Sequence, residues 1–133
     1  MNEKQLQSKI VMEYSQRNPE KHGTLFSVAN RSLSGRDGQT QVAMGMIAGV
    51  SDLIHFENGV FTGCEIKVKG STHKSSHLKG QINWGKSILN NGGRYFFVTS
   101  VEQFFQVITN TGVKTNLDEI EKEIASGKKT ITF

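Results

Sequence analysis

The feature that most restricts the fold is a tight hairpin signal at the centre of the chain. Asn58-Gly59 stands between two largely apolar runs, residues 52–56 and 60–68. Asparagine and glycine tolerate the positive φ angles of a two-residue turn, so this dipeptide strongly indicates a β-hairpin. With the turn at these residues, Asp52 is predicted to face Glu65 across the hairpin.

Both strands of this hairpin are apolar on both faces, which is typical of buried strands. Side chains alternate between the faces of a strand, so Asp52, Glu65 and Lys67 are expected on one face. Opposed residues have Cβ atoms about 5 Å apart. Two carboxylates at that separation repel each other, and the pKa of one is raised. A buried pair of acids therefore needs an explanation.

Two interpretations of the pair remain open from the hairpin alone. In the first, Lys67 pairs with Glu65, and Asp52 lies at the exposed end of its strand. In the second, a divalent cation lies between Asp52 and Glu65, because Mg²⁺ takes hard oxygen ligands and commonly uses one or two carboxylates plus water. A metal-bound water would attack a phosphodiester, and Lys67 would position it or stabilise the developing negative charge.

The pattern around the hairpin predicts an α/β fold with a mixed sheet flanked by helices. Helices are predicted at residues 3–17, 78–89 and 117–125, with a further helix after Ser100. Strands are predicted at residues 24–28, 95–99 and 130–133. Residues 30–41 are polar and contain glycine, and are predicted to be a loop. For 133 residues, one domain spanning residues 1–133 is expected.

The charge pattern permits nucleic-acid binding without requiring it. The formal net charge is +4 and the isoelectric point about 9.3, which is a modest basic excess. Between Lys67 and Lys79 there are four lysines, two histidines and no acid. This segment is either a DNA-contacting surface or a solvated loop. His73 and His77 lack the further ligands that a structural zinc site requires, so zinc is not predicted.

The cellular compartment is predicted from the cysteine content and from the hydropathy of the sequence. The single cysteine, Cys64, excludes an internal disulfide, fits a reducing compartment and is expected to be a buried structural residue. The N-terminal residues lack the apolar core of a signal peptide, and no apolar run is long enough to span a bilayer. A cytoplasmic protein without membrane association is expected.

The hairpin acids belong to a pattern that resembles a known nuclease signature. Gly49-Val50-Ser51-Asp52, followed after twelve residues by Glu65-Ile66-Lys67, resembles the PD-(D/E)XK motif, with Ser51 in place of proline. The flanking residues are similar to the VRR-NUC branch, the virus-type replication-repair nucleases. The residues that carry this similarity are Glu3 and Gln7, Phe26, Asn30 and Arg31, Gln81, Gly92-Gly93 and the strand at residues 95–99.

This resemblance covers roughly residues 3–108 and implies a restriction-endonuclease-like fold. It implies a metal-dependent DNA endonuclease with Mg²⁺ as cofactor and Mn²⁺ as a substitute. The catalytic residues would be Asp52, Glu65, Lys67 and Gln81. The metal ligands would come from Glu3, Asp52, Glu65 and the backbone carbonyl of Ile66.

Stand-alone members of the VRR-NUC branch are of phage or bacterial type and act as dimeric enzymes that cleave Holliday junctions. The resemblance therefore implies branched DNA as the substrate, a homodimer, and a bacterial cytoplasm with a phage or prophage origin. Candidates for contacts with DNA phosphates are Arg31, Arg36, Lys69, Lys74 and Lys79. A flap or nicking endonuclease of the same fold, and a DNA-binding module without turnover, are the alternatives.

Overall fold

The computed structural model describes residues 1–28 and 35–133. In chain order these residues form helix α1 (Glu3–Arg17), strand β1 (Leu25–Ser27), helix α2 (Gly35–Ala43), strands β2 (Leu53–Glu57), β3 (Val60–Ile66) and β4 (Thr72–Lys74), helix α3 (Ser75–Asn90), strand β5 (Arg94–Val98), helices α4 (Val101–Thr109) and α5 (Leu117–Ala125), and strand β6 (Thr130–Thr132).

A four-stranded mixed sheet forms the centre of the fold, in the order β1-β2-β3-β5. β2 is antiparallel to β1 and β3, whereas β3 is parallel to β5. The hairpin turn is confirmed, with positive φ angles of 52° at Asn58 and 77° at Gly59. Leu53 pairs with Cys64, which confirms the predicted register and places Asp52 opposite Glu65.

Two hydrophobic cores cover the two faces of this sheet. The first packs α1 and α4 against one face, and its buried members are Leu6, Ile10, Tyr14, Leu53, Cys64, Ile66, Phe96, Val98, Phe104 and Val107. The second packs α3, α5 and β6 against the other face, through Leu78, Ile82, Tyr95, Phe97, Leu117 and Ile131. Because side chains alternate along β3, Cys64 and Ile66 enter the first core, and Glu65 and Lys67 face the second.

The predicted bounds of α1 and α5 are confirmed. At the start of α1, the Asn2 side chain accepts a hydrogen bond from the Gln5 backbone N–H at 2.8 Å. The Gln5 side-chain oxygen in turn accepts one from the Asn2 N–H at 2.9 Å. This reciprocal cap satisfies two N–H groups that the helix itself leaves free. A cap of this kind uses only local residues, which is why the start of α1 could be predicted from the sequence.

The loop predicted at residues 30–41 is wrong over its second part. Residues Gly35–Ala43 form α2, while residues 30–34 lie outside the described part of the chain. The glycines that indicated a loop are accommodated in the helix: Gly35 begins it with a φ of 72°, and Gly38 is its buried residue. Asp37 in the first turn complements the helix dipole.

The start of α3 also differs from the prediction. The helix begins at Ser75, and Lys74 at its N-cap makes no side-chain capping bond to any described residue. The start is instead held by tertiary contacts. The Ser75 N–H donates to the Lys129 carbonyl at 2.8 Å, and its hydroxyl donates to the Lys128 carbonyl at 2.6 Å. These bonds continue the pairing of β4 with β6. In the described part of the chain, no helix has the length and apolar character to cross a bilayer.

Candidate active site

Asp52 lies where the chain enters β2, at one edge of the site. Its Oδ2 atom accepts a hydrogen bond from the backbone N–H of Ile66 at 2.8 Å. The carboxylate therefore takes the place of the next backbone partner beyond the Leu53–Cys64 pair. The N–H and C=O of one strand residue point to the same side of the strand, so the Ile66 carbonyl also points toward the Asp52 side.

Gly49 brings the segment before Asp52 into close contact with α3. It has a φ of 86°, which side chains disfavour. A Cβ atom at this position would overlap the Gly80 backbone and lie 2.9 Å from the Gln81 nitrogen. Only glycine allows this approach, and the approach places residues 49–52 beside the part of α3 that carries Gln81.

We expect the Gly49→Ala substitution to lower the free energy of unfolding by about 3 kcal/mol, because it combines backbone strain with a steric overlap. Urea unfolding measures this change. Gly59→Ala is the matched control: its φ is also positive, at 77°, but no described atom lies within 4 Å of the added Cβ. It should cost only about 1–2 kcal/mol. Equal losses in the two variants would show that the contact with Gly80 is not tight.

Glu65 and Lys67 lie side by side on the face of β3 that α3 covers. They are only 4% and 3% exposed, and the Lys67 Nζ atom lies 4.0 Å from Oε1 of Glu65. The other carboxyl oxygen, Oε2, is buried and has no hydrogen-bond partner among the described residues. The Lys67–Glu65 contact confirms that part of the first interpretation drawn from the hairpin, whereas the cation of the second interpretation stays a prediction.

Burial raises the pKa of Glu65 to about 9, with a further contribution from the charge of Asp52, and the positive charge of Lys67 only partly opposes this. In the metal-free protein, Glu65 is therefore protonated at neutral pH. A divalent cation at this position would favour the ionised form instead and would release the proton.

This pKa predicts how the stability of the metal-free protein depends on pH. The folded-state pKa of Glu65 is above the usual value of 4.5, so its contribution to stability is full below pH 4.5 and is lost as the pH rises toward 9. We expect Glu65→Gln to flatten this decline in urea unfolding with a chelator present. Glu119→Gln, on the exposed side of α5, is the control. An identical decline in wild type and Glu65→Gln would contradict the raised pKa.

Two further polar groups belong to the same region. Gln81 Oε1 and the Tyr95 hydroxyl are buried and have no hydrogen-bond partner among residues 1–28 and 35–133. Burial, followed by the charges of Glu65 and Asp52, raises the pKa of Tyr95 well above its usual value. The sequence analysis predicted Tyr95 only as part of a buried strand and not as a site residue. The one sequence feature that could have indicated a site role is its hydroxyl group within an apolar run. Buried polar groups without partners are uncommon in folded proteins, so each of these atoms needs an explanation.

The oxygen atoms gathered here fit a magnesium ion. Within the described ranges, no three His, Cys, Asp or Glu side chains converge closely enough to form a ready-made metal site. Mg²⁺ commonly needs only one or two carboxylates and keeps several water ligands. Asp52, the unpartnered Oε2 of Glu65 and the Ile66 carbonyl are hard donors of this kind. Glu3 is at the start of α1, and its negative charge adds slightly to the raised pKa of Glu65.

The five basic residues predicted to contact DNA phosphates lie on different parts of the chain. Lys69, Lys74 and Lys79 are exposed on the segment that runs from the end of β3 into α3. Arg36 is exposed on α2, and Arg31, like Asn30, lies outside the described residues.

His73 and Cys64 contact neighbouring groups within the protein. His73 Nε2 lies 3.0 Å from the Ser71 hydroxyl, and its ring packs edge-on against Phe133 at a centroid distance of 5.5 Å. His77 is exposed. Cys64 is fully buried, and burial raises its pKa to about 12, which disfavours the thiolate that a nucleophile requires.

Comparison with known proteins supports the fold. No family model matches the sequence, and no curated protein matches it. A solved structure described as a VRR_NUC domain protein is similar over 82% of this chain and 86% of that chain, with a TM-score of 0.60 and 19% sequence identity. The chain therefore has a VRR-NUC fold, in which helices flank a mixed, restriction-endonuclease-like sheet.

Proposed function

We propose that this chain is a DNA endonuclease that hydrolyses phosphodiester bonds and depends on Mg²⁺, with Mn²⁺ as a substitute. The observation that carries the proposal is the pairing of the half-buried Asp52 with the buried Glu65, with the buried Lys67 beside them. The charge of Asp52 adds to the raised pKa of the buried Glu65 carboxyl group, and groups with strongly shifted pKa values cluster at functional sites. The VRR-NUC fold of a similar solved structure supports the same chemistry.

The chain's own residues have distinct roles in this proposal. Asp52, Glu65 and the Ile66 carbonyl hold the ion, and Glu3 adds negative charge from the start of α1. When bound, the ion supplies a Lewis acid and a water molecule with a lowered pKa. Lys67 stabilises the negative charge that develops on the phosphate oxygens.

Gln81 contributes an amide that orients either Lys67 or the attacking water. Its buried Oε1 atom, which lacks a partner among the described residues, is available for that contact. The close approach of Gly49 to α3 beside Gln81 ties the position of this amide to the segment that carries Asp52.

The proposed substrate is branched DNA, cleaved by a homodimer. Lys69, Lys74 and Lys79 would contact phosphates beside the catalytic centre, and Arg31 and Arg36 are further candidates for phosphate contacts. Because a four-way junction is symmetric and requires two cuts, a twofold dimer would supply the two active sites. Light scattering of the purified chain tests the dimer, and a monomer at assay concentrations would remove this part of the proposal.

The decisive experiment is cleavage of a labelled four-way junction in the presence of Mg²⁺ or Mn²⁺, beside linear duplex and flap controls. Paired, metal-dependent cuts in the junction would support both the nuclease and the resolvase activity. Cleavage of the flap or of one duplex strand alone would retain the active site and assign a flap or nicking endonuclease. Salt-sensitive binding without any cleavage would assign a DNA-binding module.

A further inference from the structure

The amine of Lys67 is enclosed by groups from distant parts of the chain. Its side chain is 4% exposed, and Nζ lies 4.0 Å from Glu65 Oε1. On another side, Nζ lies 5.8 Å from the centre of the Phe133 ring. This distance is within the range of a cation–π contact. A residue far beyond the nuclease motif therefore reaches the proposed catalytic lysine.

Phe133 is held firmly in this position by its backbone. Its N–H donates to the Ser71 carbonyl at 2.9 Å, and its carbonyl accepts from the Gly70 N–H at 3.0 Å. These bonds extend the β4–β6 ribbon, whose register pairs His73 with Ile131. The ribbon is anchored to the second core by Ile131, which is 1% exposed.

The Phe133 ring is also fixed by its neighbours. It packs against Phe97 at a centroid distance of 5.1 Å and against His73 at 5.5 Å. Phe97 is the β5 partner of Glu65. The ring therefore fills the space beside the Glu65–Lys67 pair, and it excludes water from that side of the lysine.

We propose that β6 and Phe133 form a wall of the active site that holds the Lys67 amine in place, which makes Phe133 a positioning residue. The physical reason is the flexibility of lysine: its four-carbon stem is free to point in many directions unless neighbouring groups restrain it. The catalytic consequence rests on the nuclease function proposed above, but the restraint itself does not. The wall also assigns a role to the segment after α5, which the nuclease signature does not include.

The test compares Phe133→Leu with Phe133→Tyr in the full chain. Leucine keeps an apolar side chain but removes the ring, and tyrosine keeps the ring. Thr132→Ala, on the exposed side of the same strand, is the control for general effects on β6. If Phe133→Leu does not fold, Phe133→Met replaces it, because methionine fills irregular space well.

The first readout needs no catalysis. The metal-free proteins are treated with an amine-reactive acetylating reagent, and the modification of Lys67 is measured by mass spectrometry relative to Lys114, which is exposed. We expect the labelling of Lys67 to rise several-fold in Phe133→Leu, and to stay at the wild-type level in Phe133→Tyr and Thr132→Ala. Unchanged labelling in Phe133→Leu would overturn the proposal.

The second readout is the cleavage rate on the substrate that the wild type cuts. We expect kcat to fall about tenfold in Phe133→Leu with KM unchanged, since a misplaced catalytic group slows the reaction without weakening DNA binding. Increased labelling with an unchanged kcat would overturn the positioning role. If the wild type cleaves no DNA, the nuclease proposal fails, and the labelling alone decides whether Phe133 restrains Lys67.

Discussion

Replacing Asp52 with asparagine is expected to lower metal-dependent DNA cleavage by about a thousandfold or more, because it removes one of the two carboxylates that are proposed to hold the ion. The fold should persist. The asparagine side-chain oxygen can still accept the hydrogen bond that Asp52 takes from the Ile66 N–H at 2.8 Å. The substitution also removes a charge that raises the pKa of Glu65, so the metal-free protein should not become less stable.

Three measurements together isolate this effect. The cleavage rate should fall, the thermal midpoint without metal should be maintained, and the stabilisation by Mn²⁺ should shrink, because a ligand stabilises only in proportion to its binding. Asp118→Asn, at an exposed position of α5, makes the same chemical change away from the site and should cleave at the wild-type rate. Wild-type cleavage by Asp52→Asn would exclude Asp52 as a metal ligand.

Replacing Lys67 with methionine is expected to lower kcat by about a hundredfold or more, because the positive charge that is proposed to stabilise the reacting phosphate is lost. Methionine has a similar length and suits a position that is 3% exposed. The positive charge of Lys67 lowers the pKa of Glu65, so in the variant Glu65 should hold its proton to higher pH.

The Lys67→Met variant should lower kcat without changing the affinity for DNA. The affinity for DNA, measured with Ca²⁺ in place of Mg²⁺, should change little, because the amine is enclosed and does not lie on the exposed basic surface. Lys114→Met removes the same charge from an exposed loop position and should leave kcat intact. If both variants lost DNA affinity to the same extent and kept kcat, Lys67 would be a simple phosphate contact.

The parts of the fold that the sequence predicted well depend on local contacts. The turn at Asn58-Gly59 and the alternation along β2 and β3 set the register that places Asp52 opposite Glu65. The bounds of α1 also follow from local chemistry, since its cap is made by residues three apart. For the same reason, the face shared by Asp52, Glu65 and Lys67 was predictable before any packing was known.

The parts that were missed depend on distant partners. β4 and the first turn of α3 are held by the C-terminal segment, and the Ser75 hydroxyl bonds to a carbonyl 53 residues away. No sequence pattern within β4 itself predicts that partner. α2 was missed for a related reason: its glycines weaken the local helix signal, and the burial of Gly38 is visible only once the chain is folded.

The sequence by itself determined the hairpin, its register, and the set of acids and lysine on one face, because turn geometry and strand alternation act over a few residues. Only the tertiary structure decided the pKa of Glu65 and the surroundings of Lys67. The raised pKa of Glu65 requires burial by other elements, and the enclosure of Lys67 requires the Phe133 ring at 5.8 Å. Solvent exclusion and contacts between distant segments are properties of the packed chain, and they convert a pattern of residues into a candidate active site.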